Sequence, residues 1–210
     1  MVRWFKPVVF LACLGPLARL GWKAYMGLLG ANPIEVITHP TGDWILIFLL
    51  ITLSVTPLRK LTGQLWLIRY RRMFGLFAFF YAVLHFLTYI WLDKFFDVHE
   101  MLADISKRRF ITIGFTGFVL LIPLALTSTK GWIRRLGGKR WQALHRLIYV
   151  SAIAGVIHYW WLVKADITKP AQYAFVLALL LGYRVVAWTI RRQKGKAIPV
   201  TPASAEIAEG

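Results

Sequence analysis

The chain has a single cysteine, Cys13, and it lies inside an apolar run. One thiol excludes a disulfide framework and a Cys-ligated cluster, which draws on several thiolates. Acidic residues are also scarce: nine Asp and Glu stand against 26 Lys and Arg, for a formal net charge of +17. Such a charge can signal nucleic acid. Here the basic residues flank apolar runs instead of covering one soluble face, so no nucleic acid is expected and anionic lipid head groups are the simpler partner. Also missing are a fixed-period repeat and a small-residue cleavage site within Met1–Leu29, so no removable leader is expected. No stretch is left over for a separate globular domain.

Apolar surface, by contrast, is abundant. Hydrophobic residues make up 58% of the chain, where a soluble domain has about 45–50%, and mean hydropathy is +0.59. The runs predict an all-α, polytopic membrane protein: a six-transmembrane-helix bundle over residues 1–192 and a polar, disordered tail over 193–210. The expected spans are Phe5–Tyr25, Trp44–Thr56 with its flanks, Met73–Leu92, Phe110–Thr127, Trp141–Val163 and Tyr173–Ile190. Pro16, Arg19 and Lys23 interrupt the first, whose cations must snorkel. Pro57 closes the second, Pro123 kinks the fourth, and Arg184 is close enough to the end of the sixth to snorkel. Gly27–Gly42, Gly63–Arg72, Asp93–Arg109, Ser128–Arg140 and Asp166–Pro170 read as loops, connectors and a tight turn.

Six spans put both termini on one side. That side carries 18 of the 26 Lys and Arg, and seven of the nine acidic residues fall opposite. The positive-inside rule then makes both termini cytoplasmic. Tryptophans at the span ends (Trp44, Trp66, Trp91, Trp132, Trp141, Trp160, Trp161) fit interfacial belts.

Ionisable side chains inside a bilayer usually mark a pathway or a ligand site. The fifth span, WQALHRLIYVSAIAGVIHYWWLV, holds His145 and His158 thirteen residues apart, about 20 Å along a helix. His85 lies twelve residues into the third span. His85 and His158 therefore fall at matched depth in the outer half, on different helices, as bis-histidine heme ligation requires. A lone histidine of this kind would read as a polar bridge between helices. The run Ser151–Gly155 leaves room for a macrocycle and equally allows close helix packing. Thirteen residues leave the two histidines about 220° apart around an ideal helix, so a distortion near Gly155 re-aims one, or each serves a different neighbour. A second heme on the inner side would pair His145 with a position near Arg71 and Arg72. Those are not normal iron ligands but suit propionates or a flavin phosphate; positive-inside charge alone also accounts for them. His39, in THPTG, and His99 read as loop residues.

These residues sit in stretches that resemble the ferric reductase-like transmembrane group, and within it the heme-binding membrane subunits of bacterial periplasmic methionine sulfoxide reductase systems. The matching stretches are NPIEVITHPTG, ITLSVTPLR, RRMFGLFAFFYAVLHFLTY, LALTSTKGWIRRLGGKRWQALHRLIYV and IHYWW. The resemblance implies heme b and FMN in a bacterial inner membrane. It implies electrons passed outward to a soluble, molybdopterin-containing methionine sulfoxide reductase that repairs oxidised periplasmic proteins. The heme histidines of that group map onto His85, His145 and His158. The NADPH oxidases of the group have an inner histidine on the third helix that this chain lacks, which leaves the second heme, or its second ligand, open. The twenty residues after Ile190 are too few for a fused flavin and nicotinamide module. The expected role is thus an electron-transfer subunit, not a catalytic one, with the quinone pool or a cytoplasmic flavin reductase as donor. A stand-alone ferric or quinone reductase and a histidine-relay transporter are the rival readings.

Overall fold

The computed structural model describes residues 5–163 and 165–196, and every regular element among them is helical. The expected disorder of the tail beyond residue 196 lies outside the described residues; Gln193 to Lys196, counted in that tail, continue the last helix. In chain order the helices are α1 (Phe5–Tyr25), α2 (Pro33–Thr62), α3 (Ile68–Leu87), α4 (Val98–Lys107), α5 (Arg109–Leu126), α6 (Lys130–Leu136), α7 (Gly138–Leu144), α8 (Leu147–Leu162) and α9 (Thr168–Lys196). A 3-10 turn at Leu65–Leu67 leads into α3, and a π-helical segment, Thr88–Asp93, extends it. Five of these helices, α3 counted with both extensions, are long and apolar enough to cross a membrane. The sixth expected span is α8, whose 16 residues rise about 24 Å.

Several boundaries differ from the sequence expectation, each for a local reason. The supposed loop Gly27–Gly42 is helical from Pro33 onward. Asn32 caps the helix by accepting from the Glu35 N–H (3.4 Å) while its own amide donates to the Glu35 carboxylate (2.9 Å), and Pro33 suits a first helical position. His39 is therefore a helical residue, its Nδ1 3.7 Å from a Glu35 carboxylate oxygen, and not a loop residue. Pro57 does not close the second span; α2 runs on to Thr62 and stops at Gly63, whose φ of 70° is the left-handed cap. The connector Asp93–Arg109 contains α4, with Asp97 accepting from the Glu100 N–H at 2.9 Å, so His99 too is helical. The connector Ser128–Arg140 contains α6 and the start of α7. The fifth span is not continuous: α7 ends at Leu144, and a turn at His145 and Arg146 separates it from α8.

Four helices form a closed ring. α2 packs on α3, α3 on α5, α5 on α8, and α8 back on α2. α3 and α8 thus stand across one diagonal of the ring. α9 packs outside against α2 and α8, and α1 against α2 and α3. Lipid gives no hydrophobic drive to such packing, so close van der Waals fit must supply it. Phe48 of α2 stacks between Phe77 and Tyr81 of α3, with centroids at 5.6 and 5.4 Å. On α5 and α8 the fit depends on small residues. Ser151 Oγ donates to the Gly117 carbonyl at 2.8 Å, and a methyl added at Gly155 would lie 2.9 Å from Leu46 of α2. Of the two uses open to Ser151–Gly155, this is close helix packing.

Arg184 does not snorkel. Its guanidinium turns into the bundle, where Nη2 donates to the Leu53 carbonyl (2.5 Å), Nη1 to the Leu180 carbonyl (2.8 Å) and Nε to the Tyr149 hydroxyl (3.1 Å). Those bonds join α9 to α2 and α8.

Candidate functional site

The two diagonal helices each carry a histidine, and the structure brings those two together. The His85 and His158 rings lie 6.2 Å apart, centroid to centroid, with planes at 84°. Each ring is held from a neighbouring helix of the other diagonal. His85 Nδ1 lies 3.1 Å from the Thr38 carbonyl of α2 and 3.3 Å from the Thr41 hydroxyl. His158 Nδ1 lies 2.6 Å from the Phe110 carbonyl of α5. A carbonyl can only accept, so in both rings Nδ1 bears the proton and Nε2 keeps the lone pair. Metal-bound histidines almost always donate their second ring N–H in this way, which fixes tautomer and orientation. Two metal–imidazole bonds of about 2 Å each, with the ring radii added, span about 6 Å. The observed spacing of 6.2 Å would suit two imidazoles that share one metal.

The rings fit only because two neighbours lack side chains. A methyl added at Gly114 of α5 would lie 2.5 Å from His158 Nδ1, and one added at Gly42 of α2 would lie 3.2 Å from His85 Cε1. Neither glycine, nor the Thr38 and Phe110 carbonyls, stands out in the sequence. The one available signal is glycine inside apolar helical runs, which usually means close approach of another group. Further support comes from the start of the π-helical segment: Thr88 Oγ1 donates to the His85 carbonyl at 2.7 Å and accepts from Thr38 Oγ1 at 3.3 Å.

His145 is elsewhere, at the turn between α7 and α8. Its Nδ1 bonds to the Trp141 carbonyl at 3.1 Å, and its ring stacks on the Trp141 indole at 3.8 Å. Trp141 is more than a belt residue, since its own Nε1 donates to the Thr127 carbonyl at 2.9 Å. The helix breaks at His145 and not near Gly155, and the two histidines serve different neighbours. His145 Nε2 is buried with no hydrogen-bond partner among the described residues. Leaving such an atom unpaired costs about 1–3 kcal/mol; the Leu124 carbonyl is the nearby backbone group. Of the two arginines singled out in the sequence, Arg71 is half-buried and forms no hydrogen bond or ion pair among the described residues, while Arg72 is exposed.

A ring of apolar helices with paired imidazoles on its diagonal is the architecture of a membrane redox component, and the comparisons give its family. Residues 41–156 match the ferric reductase like transmembrane component family, which covers α3 and α5 whole, α2 from Thr41 and α8 as far as Val156, and the chain belongs to it. Its relatives narrow the position within that family. It is 56% identical over 93% of its length to the "Protein-methionine-sulfoxide reductase heme-binding subunit MsrQ" of Herminiimonas arsenicoxydans, covering 91% of that protein. Proteins of the same name from Rhodospirillum rubrum (54%, 90% of this chain and 91% of the relative) and Ralstonia nicotianae (50%, 95% and 94%) are similar along the same extent. No solved structure matches.

Proposed function

We propose that this chain is the heme-binding membrane subunit of a protein-methionine-sulfoxide reductase system, carrying electrons across the bacterial inner membrane. The observation that carries the reading is the pair His85 and His158, 6.2 Å apart with both Nδ1 atoms committed to backbone carbonyls. Among the described residues no three His, Cys, Asp or Glu side chains converge on a metal-sized position. A bare ion would therefore lack a coordination sphere here, whereas a macrocycle brings four ligands of its own and needs only two axial donors. The relatives' printed name, a heme-binding subunit, agrees with that chemistry.

Heme b, when bound, supplies reversible one-electron exchange at its iron. His85 and His158 hold it between α3 and α8, and the Thr38 and Phe110 carbonyls keep the two imidazoles in the ligating tautomer. His145 is the donor on the inner side, through its buried Nε2. Arg71, without a hydrogen bond or ion pair among the described residues, is the cation for an anionic edge there, a heme propionate or the FMN phosphate, and exposed Arg72 is open to the same phosphate from the surface. Both termini are cytoplasmic. Electrons enter from the quinone pool or a cytoplasmic flavin reductase and leave to a periplasmic, molybdopterin-containing catalytic subunit.

Oxidised and dithionite-reduced visible spectra test this. The purified chain gives a low-spin heme spectrum; His85→Ala and His158→Ala each abolish or convert it, and His145→Ala removes only an inner share. Added periplasmic catalytic subunit with its sulfoxide substrate reoxidises the reduced heme. A folded, colourless preparation from iron-replete cells overturns the assignment in favour of a transporter in which the histidines relay protons.

A further inference from the structure

The strongest feature outside the histidine pair is the face that α4 turns away from the bundle. On a helical wheel Val98, Met101, Leu102 and Ile105 share one side of α4, and Glu100, Asp104 and Lys107 share the other. An interfacial or surface helix ordinarily turns such charges to water. Here Asp104 is drawn inward instead, 2.7 Å from the Lys94 ammonium, which is only 6% exposed, while Glu100 reaches the same ammonium at 2.7 Å from an exposed position. Asp104 and Glu100 hold that ammonium above the ordinary lysine range. Val98 and Leu102 are left exposed.

The turn before α4 adds to this. Phe95 and Phe96 have φ of 47° and 63°, a left-handed conformation that bulky residues rarely adopt. The Phe96 N–H donating to Ile90 O (2.9 Å) and the Lys94 N–H to Tyr89 O (3.0 Å) hold it. The result is two exposed phenyl rings, Phe95 at 78%. Leu87, Trp91 and Phe95, all exposed and four residues apart, continue the outer surface of α3 without a break onto this turn. At the far end of α4, Lys107 and Arg109 are exposed and form no ion pair among the described residues.

We propose that α4 and the Phe95–Phe96 turn lie in the lipid–water interface, with the apolar face immersed at the boundary of the acyl chains. Three features favour lipid over a protein partner: the apolar surface is continuous with that of a membrane span, Glu100 and Asp104, which lipid phosphates would repel, are paired with Lys94 and Arg108, and the exposed cations Lys107 and Arg109 sit where head groups lie. The connection to α5 gives the anchor a purpose. α4 runs through Arg108 directly into α5, whose second residue, Phe110, holds His158. The interface thus sets the depth of a carbonyl that orients a candidate ligand. The inference rests on the membrane fold alone and stands whether or not the histidines bind heme.

The test uses the full chain with Cys13→Ser, carrying Val98→Cys, Leu102→Cys or Lys107→Cys, each labelled with bimane. The proteins are reconstituted in phosphatidylethanolamine–phosphatidylglycerol vesicles with plain or brominated acyl chains. Brominated lipid should quench most of the fluorescence at positions 98 and 102 and leave 107 bright, while aqueous iodide does the reverse. Iodide quenching at 98 and 102 equal to that at 107, with no effect of bromine, overturns the proposal. So does protection from iodide that appears only on adding the soluble periplasmic catalytic subunit, because the face then belongs to that protein. Two independent positions on one face keep the result decisive if either variant folds poorly.

Discussion

Gly114 and His158 meet at a distance that leaves no room for a methyl group. A Cβ at Gly114 would lie 2.5 Å from Nδ1 and 2.9 Å from two ring carbons, and the ring cannot retreat without giving up its bond to Phe110. Gly114→Ala should therefore abolish the low-spin spectrum as completely as His158→Ala. Gly42→Ala, with its Cβ at 3.2 Å from His85 Cε1, calls for a shift of a few tenths of an ångström and should change the spectrum without removing it. Gly182→Ala has open space around it and should leave the spectrum as it was. Equal spectra for all three variants would show that the rings are not held where the structure puts them. His85, His158 and His145 were legible as residues because imidazole is conspicuous in an apolar run. The groups that aim them were not, because a backbone carbonyl has no letter of its own and a glycine's meaning depends on what approaches it.

At the scale of elements, α1 is tied to the ring by one hydroxyl. Tyr81, fully buried, donates to the Cys13 carbonyl (2.9 Å) and accepts from the Leu17 N–H (3.3 Å), two groups that an unbroken helix would join to each other. Insertions of this kind bend helices, and Pro16 beside it already weakens the ladder. Cys13 is buried under this contact. Tyr81→Phe should loosen α1 and raise the rate of Cys13 labelling by a membrane-permeant maleimide severalfold, with the heme spectrum intact. An unchanged labelling rate would mean that α1 is held by something else. The spans themselves were readable from hydropathy, yet their ends were not. Sequence alone predicts Pro57 to close the second span and Pro40 to lie in a loop, but α2 carries both, because in a membrane bundle neighbouring groups can satisfy the freed carbonyls. Hydropathy also does not mark the turn at His145, which falls inside the run Trp141–Val163 read as one span.

For the whole molecule, charge and the ring make separate predictions. The cationic flank of the bundle predicts that a reporter fused after residue 196 is active only in the cytoplasm, and one inserted at Ser106 only in the periplasm; the opposite pattern would invert the assigned direction of electron flow. The ring predicts that cofactor and stability are coupled. α3 and α8 face each other across a diagonal and are held together through α2 and α5, so a group bound by both helices adds a direct brace. Protein from iron-starved cells should unfold at a lower temperature than protein with heme. Saturation at 100 times the dissociation constant is worth about 2.7 kcal/mol, enough for a measurable drop in Tm.

Composition and pattern alone determined that this chain crosses a membrane, which side its cations favour, and that three histidines fall in or beside its apolar runs, because hydropathy, charge and residue type are additive along a sequence. Only the tertiary structure decided that His85 and His158 face each other while His145 stands apart, that Arg184 turns inward and that Asp104 of α4 is buried against Lys94. Each of those outcomes depends on which helix lies beside which, a relation between distant residues that no local pattern carries.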